Sequence, residues 1–365
     1  MSMSNAKRES PLAQGTKASL AVRGAVSGDV PFALDCIRGL AAYVGMSDDV
    51  TATREDLEVG LFGSAAVSAA APARTATVAE ALVAELDGSP AGLAIFFHSM
   101  STFLGLPGIY LEDLYVDPAM RGRGVGAALL AHLAGLAVRT GCGRLEWNCE
   151  DSNDHARSFY LELGAVPMSD WVKYRLAGRA LAELASRADE MRGSGGGQHI
   201  HFRRAGLLDA PVILEFIREL AEYEHLLDQV TATPEALVET LFVRKVAEVV
   251  FAEVAGQLVG FVLYFRTFST FMGQPCIYLE DLYVRPAARG QGVGKALLAQ
   301  VARLAVDTGC GRLEWGCLDW NKPAIDFYLG LGAVALGEGT IYRLAGSALA
   351  KLAGPATASG AAVLS

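Results

Sequence analysis

The chain contains most of itself twice. Residues 101–178 align without a gap on 269–346, and 52 of those 78 positions are identical. IYLEDLYV occurs at 109–116 and 277–284, GCGRLEW at 141–147 and 309–315, and YRLAG at 174–178 and 342–346. A unit this long exceeds the ~20–50-residue period of a solenoid, so it reads as a whole domain copied once. The length of 365 residues agrees with two domains at ~100–200 residues each. Upstream the offset grows from 168 to 180: Ile37 pairs with Ile217 and Tyr43 with Tyr223. The twelve extra residues fall in the Ala-rich stretch 63–78, which reads as a mobile loop insertion. The expected organisation is a disordered tail over 1–17, a first domain over 18–190, a Gly-rich linker over 191–198, a second domain over 199–354 and a tail over 355–365.

Composition narrows the function classes. At 52% hydrophobic and 19% charged residues the chain has ample material for cores. A net charge of −9 and a pI near 5.3 argue against a nucleic-acid binder and suit a cationic small molecule. Mean hydropathy is +0.30, yet no run of ~18 uncharged apolar residues occurs, so no membrane role is expected. The first residues lack the apolar segment of a secretory signal. Six cysteines are too few for a disulfide framework and lack metal-ligand spacing, so they read as buried free thiols in a cytoplasmic protein with no metal.

In the second copy, helical periodicity covers 209–226, with a short helix over 234–243. Apolar, β-branched runs at 246–254 and 257–268 form a hairpin, and 276–284 is a third strand. A long amphipathic helix over 293–308, a strand at 311–317, a helix at 322–331 opened by Asn321, and a last strand at 338–344 complete the order. This sum is an α+β fold, each copy a mixed, mostly antiparallel sheet flanked by helices.

Between the third strand and the long helix lies Arg289, Gly290, Gln291, Gly292, Val293 and Gly294, followed by Lys295; the first copy has Arg121, Gly122, Arg123, Gly124, Val125 and Gly126. Such a loop turns backbone N–H groups inward at a helix N-terminus and suits a pyrophosphate. It matches neither the nucleoside-triphosphate loop, since Ala296 follows Lys295, nor the Gly-x-Gly-x-x-Gly dinucleotide fingerprint.

The loop in its context resembles the GNAT acetyltransferase superfamily, and within it the spermidine/spermine (diamine) branch. The motifs are the strand of residues 278–284 (YLEDLYV), the Arg-x-x-Gly-x-Gly loop, and residues 319–328 (DWNKPAIDFY), all repeated in the first copy. The resemblance spans roughly 20–178 and 200–346 and implies an N-acetyltransferase that uses acetyl-CoA. It places the pyrophosphate on the glycine loops and the pantetheine arm along Leu282, Tyr283 and Val284, or Leu114, Tyr115 and Val116. Asn321 or Asn153 contacts that arm. Tyr328 or Tyr160 serves as general acid to the departing thiolate. The acceptor is expected to be a small polyamine or a basic amino-acid-like amine, and the tandem chain a covalent pseudo-dimer with room for a further homodimer. An acyl-CoA-binding sensor or scaffold, with one or both halves silent, is the competing class.

The chemistry needs these residue types. An alkyl ammonium of pKa ~10.4 must lose a proton before it attacks, and the leaving thiolate needs a donor. Glu280 and Glu112 are candidate catalytic carboxylates, set against a structural salt bridge as the plainer reading; Tyr223, Glu224, Asp281 and Asp113 are candidate substrate contacts. Glu280 and Asp281 are neighbours on a strand and are expected to face opposite sides. The first copy has Val44 opposite Glu224 and Ser152 opposite Trp320, but it carries Trp171 where the second has Gly339. By sequence position, then, the candidate substrate aromatic Trp171 belongs to the first copy, and the second has lost it.

Overall fold

The computed structural model describes residues 19–63, 77–191, 199–337 and 339–355. The tail 1–17, nearly all of the 63–78 insertion, the Gly-rich linker and the tail beyond 355 lie outside the described residues, as does Glu338.

Each repeat starts with a strand that the sequence reading passed over, Leu20–Gly24 and Ile200–Arg204. The helix Ala210–Tyr223 follows from its periodicity and buries Ile213, Phe216, Ile217 and Leu220. The short helix Pro234–Val238, capped by Thr233, runs on into one π-helical turn, Glu239–Val243. The hairpin Glu248–Val254 and Gln257–Ser269, the strand Gln274–Val284, the helix Val293–Asp307, the strand Arg312–Leu318 and the helix Lys322–Leu329 stand in the expected order. Closing helices, Gly178–Ser186 and Gly346–Ala353, were not anticipated.

The strands form two seven-stranded mixed sheets. Five of the six strand junctions in each are antiparallel; the sixth is one short parallel junction, Gly108↔Arg144 to Leu111↔Trp147 in the first sheet and Ile277↔Leu313 to Leu279↔Trp315 in the second. Past Leu279 and Trp315 the paired strands part, which leaves one edge of residues 280–284 without a ladder partner.

The sheets do not follow the halves of the chain. Trp171–Ala177, the last strand of the first half, pairs antiparallel with Arg312–Leu318 of the second. Gly339–Ala345 pairs with Arg144–Glu150 of the first. The exchanged strand is held on both faces. Val172, Tyr174 and Leu176 join the core around Trp315 and the helix Val293–Asp307, while the Arg175 guanidinium donates to Glu314 at 2.8 Å. On the other side Arg343 donates to Glu146 at 2.7 Å. The helix Gly178–Ser186 travels with its strand, and Leu181 and Leu184 enter the same core. A third core joins the halves directly, with Ile37, Leu57 and Phe97 against Phe216, Leu241 and Phe268. Backbone bonds lock the seam: Phe271 O accepts from Thr51 and Ala52, and Phe103 O from Thr231 and Ala232, at 2.8–3.0 Å. The pseudo-dimer is therefore one intertwined body.

Candidate active site

Two clefts open along the unpaired strand edges. The C-terminal cleft encloses about 1080 Å³ and the N-terminal one about 770 Å³.

In the C-terminal cleft the glycine loop lies at one end. Gly292 is the N-cap of the helix Val293–Asp307 with φ 82, a left-handed conformation that a side chain would strain. Arg289 is held by Val284 O at 2.9 Å and lies over the rings of Tyr223 and Tyr283. Arg289, Gly290, Gly292, Val293, Gly294 and Lys295 line the cleft; Gln291 instead turns back to Ala287 O at 3.0 Å. Asn321 is buried and caps the helix Lys322–Leu329 by accepting from Ala324 N, and it also accepts from the Tyr223 hydroxyl at 3.0 Å. The first half repeats this with Asn153, which accepts from Ala156 N at 3.1 Å and from Tyr43 at 3.3 Å. There Arg121, Gly122, Gly124, Val125 and Gly126 line the cleft, and Arg123 points away toward Asp87 at 3.7 Å.

Tyr328 packs on Trp315 at 4.8 Å, and burial pushes its hydroxyl above the ordinary tyrosine range. It therefore keeps its proton at neutral pH. Tyr160 lies against Trp147 in the same way, with the same shift. Glu224 follows the helix Ala210–Tyr223. Burial, with the Glu280 charge beside it, pushes its carboxyl up to about 7, where it can both take and give a proton. His225, next in the chain, holds a left-handed φ of 62 and stacks on Trp320 at 5.6 Å.

The strand carboxylates depart from expectation. The ladder to the neighbouring strand runs Leu263↔Asp281, then Tyr264↔Leu279, so Glu280 is skipped as a β-bulge; Glu112 is skipped likewise between Asp113 and Leu111. A bulge breaks the two-residue alternation. Glu280 and Asp281 consequently both line the C-terminal cleft instead of facing opposite sides. Each strand glutamate meets an arginine of the other half. Arg144 reaches Glu280 at 2.9 Å and Glu146 at 2.7 Å; Arg312 approaches Glu112 at 3.7 Å and Glu314 at 3.2 Å. Burial still raises Glu280, against the lowering pull of Arg144. Asp281 accepts from Thr102 of the other half at 3.3 Å, and its second oxygen has no hydrogen-bond partner. Burial pushes Asp113 up to about 7. The cross-half arginines and threonines were missed because sequence order separates each from its partner by more than 130 residues.

Trp171 also falls elsewhere than its sequence position suggested. Strand exchange sets it opposite Leu318, and it lines the C-terminal cleft with Glu224, Glu280 and Tyr328, not the N-terminal one. The second copy has not lost the aromatic; it borrows it. Among the described residues all six cysteines are buried and free, no helix is long and apolar enough to cross a membrane, and no side-chain cluster suits a metal.

The acetyltransferase (GNAT) family model matches residues 56–165 and 215–333, once in each half. A thialysine N-epsilon-acetyltransferase of Bos taurus is 44% identical over 167 residues, covering 42% of this chain and 98% of that protein. A spermidine/spermine N(1)-acetyltransferase-like protein of Homo sapiens is 34% identical over 146 residues, covering 38% of this chain and 21% of that protein. A solved tandem GNAT protein from the clavulanic acid biosynthesis pathway superposes with a TM-score of 0.50 at 18% identity, over 93% of this chain and all of that one, and shares the fold. The chain belongs to the GNAT acetyltransferase family and is a tandem N-acetyltransferase acting on amino groups.

Proposed function

We propose that the C-terminal cleft acetylates the terminal primary amine of a small polyamine or basic amino-acid-like molecule in a ternary complex with acetyl-CoA. The two units of the duplication, 18–190 and 199–354, then contribute unequally. The observation that carries this reading is the convergence, in one cleft, of Glu224, protonated Tyr328 and Trp171 beside a glycine loop and an unpaired strand edge.

Acetyl-CoA, when bound, supplies the activated acetyl group. The residues fit it: the loop N–H groups and helix N-terminus suit its pyrophosphate, and the free edge at Leu282, Tyr283 and Val284 suits an amide-bearing arm. Glu224 takes a proton from the substrate ammonium, directly or through water. Tyr328 holds a proton for the departing sulfur. Glu224 and Glu280 orient a cation in the cleft, while Asp281, which burial holds well above the ordinary carboxylate range, offers a hydrogen-bonding group beside them. Trp171 offers an aromatic face to the same amine. The thialysine and L-ornithine acetyltransferases among the relatives support a basic amino-acid-like acceptor beside a polyamine. Val44 in the place of Glu224 favours a second reading for the first half, acyl-CoA binding without turnover of such amines.

A thiol-release assay against a panel of diamines, basic amino acids and monoamines tests the proposal. Saturable turnover of a dibasic acceptor is the expected result. Turnover that survives Glu224→Gln and Tyr328→Phe together would refute it.

A further inference from the structure

The centres of the two clefts carry different charge. Around Arg144 lie two cations, Arg144 and Arg343, with two carboxylates, Glu146 and Glu280. Around Arg312 lie three cations, Arg312, Arg175 and Lys173, with two carboxylates, Glu314 and Glu112. The extra cation is Lys173, whose counterpart by the repeat is Ile341. Lys173 stands in the wall that the clefts share, 3.4 Å from Glu314 and 5.9 Å from the centre of the Tyr110 ring. Arg175 and Arg312 line the N-terminal cleft alone.

The geometry is looser there as well. Arg144 Nη2 is satisfied by Glu280 at 2.9 Å and Met100 O at 2.8 Å. Arg312 Nη2 has Glu112 at 3.7 Å, beyond hydrogen-bond length, although the residue is only 8% exposed. The guanidinium is anchored through Nη1 on Ser269 at 3.0 Å and through Nε near Glu314 at 3.2 Å, which leaves the Nη2 edge without a close carboxylate. Such an edge, beside a surplus ammonium, is suited to an incoming anion. Asp113 and Asp281 are mirror images and cancel from the comparison. Asp49 and Glu150 also line the N-terminal cleft, but the ion pairs of the three cations run to Glu112 and Glu314. Meanwhile Val44 replaces the base that an ammonium acceptor needs.

We propose that the N-terminal cleft reads a carboxylate, held by Arg312 and Lys173 at its buried end, where the C-terminal cleft receives an ammonium. That carboxylate has two chemical sources. It is either the far end of a dicarboxylic acyl thioester of CoA, or a free small carboxylic acid beside CoA.

Calorimetry on the full chain separates them, with succinyl-CoA, butyryl-CoA as the uncharged chain of similar reach, and glutarate added to CoA-loaded protein. Expected is one site that prefers succinyl-CoA over butyryl-CoA by about tenfold, the worth of one well-placed charged contact. Glutarate binding in place of that preference assigns the free acid. The signal should survive Gly292→Glu, vanish with Gly124→Glu, and fall to parity in Lys173→Ile, which copies the other half. Equal affinity for the two thioesters together with no glutarate binding overturns the proposal in the unaltered protein, without any variant. So does a preference that persists in Lys173→Ile or that follows the Gly292 loop.

Discussion

The two clefts share a glycine loop, a bulged glutamate, a capping asparagine and a tyrosine, yet they differ at the acceptor end. The C-terminal cleft has Glu224, Trp171 and a balanced Arg144 cluster; the N-terminal cleft has Val44 and a cluster with one cation to spare. After the duplication the shared parts are those suited to an acyl-CoA, and the divergent parts are those suited to what it meets. Strand exchange sharpens the contrast, because each cleft is built from both halves. A change in one half can therefore be read out in the cleft of the other.

The largest expected effect tests the central clusters. Arg144→Met leaves Glu146 and Glu280 with Arg343 as the remaining close cation, and removing one partner of a buried ion pair costs about 3–5 kcal/mol. Arg312→Met should cost clearly less, since Lys173 and Arg175 still hold Glu314. Denaturant unfolding of both variants reads the difference. Equal losses would show that the extra cation does not change the energetics of the cluster.

Next is the tyrosine pair. Positioned proton transfer contributes ~10²–10⁴-fold, so Tyr328→Phe should lower kcat by roughly tenfold to a thousandfold, water replacing the donor at the lower end. Tyr160→Phe should lower it less with an amine acceptor. Steady-state kinetics with one dibasic substrate decide, and the reverse ranking would transfer the amine chemistry to the N-terminal cleft.

Glu224 adds a pH signature. In the proposed reaction its active form is the carboxylate, and burial holds its carboxyl at about 7, above its ordinary value. Activity as kcat/KM should rise with pH through about 7, and Glu224→Gln should flatten that limb while lowering kcat/KM by about a hundredfold. The same shift makes ionised Glu224 a burden on folding. Its stability contribution is complete below the unfolded carboxyl pKa and is lost as pH rises through about 7. A limb unmoved in Glu224→Gln would assign the base elsewhere.

Trp171→Ala tests the exchange itself. It should raise the acceptor KM by about tenfold. In a Tyr328→Phe background it should act on the same residual reaction, and it should leave binding in the N-terminal cleft the less affected of the two. Sequence position placed this residue in the other half, and the reason is instructive. Both closing strands end in YRLAG, so either one offers the same alternation to either sheet, and local pattern cannot choose between them. The helices Ala210–Tyr223, Val293–Asp307 and Lys322–Leu329, the hairpin and the glycine loop were legible because periodicity, turns and caps are local, whereas the opening strands Leu20–Gly24 and Ile200–Arg204 and the closing helices Gly178–Ser186 and Gly346–Ala353 were not read. The bulges at Glu112 and Glu280 were not, because a bulge is defined by a partner strand. Nor were the pairs Arg144–Glu280 and Thr102–Asp281, which exist only once the halves have docked. What the sequence conveyed least was the sharing of parts between clefts, and that is where the two sites acquire their difference.

The smallest effect concerns how Glu224 is aimed. The residue after the first-helix cap is His225 at φ 62 in the second half and Gly45 at φ 74 in the first. A side chain in this region is disfavoured by roughly 1 kcal/mol relative to glycine. His225 is nevertheless retained there, stacked on Trp320, which in turn lies 6.1 Å from Tyr223. The stacking contact is expected to offset the backbone cost. His225→Gly should therefore change unfolding stability by less than about 1 kcal/mol, the relief of strain nearly balancing the lost stacking. Gly45→His, with Ser152 where Trp320 would be, has no such compensation and should cost the full amount. If the stack also orients the base, His225→Gly lowers kcat a fewfold at unchanged CoA affinity, whereas a merely structural turn would leave kcat alone. Thermal unfolding of both variants, with kinetics of the first, separates strain from aim.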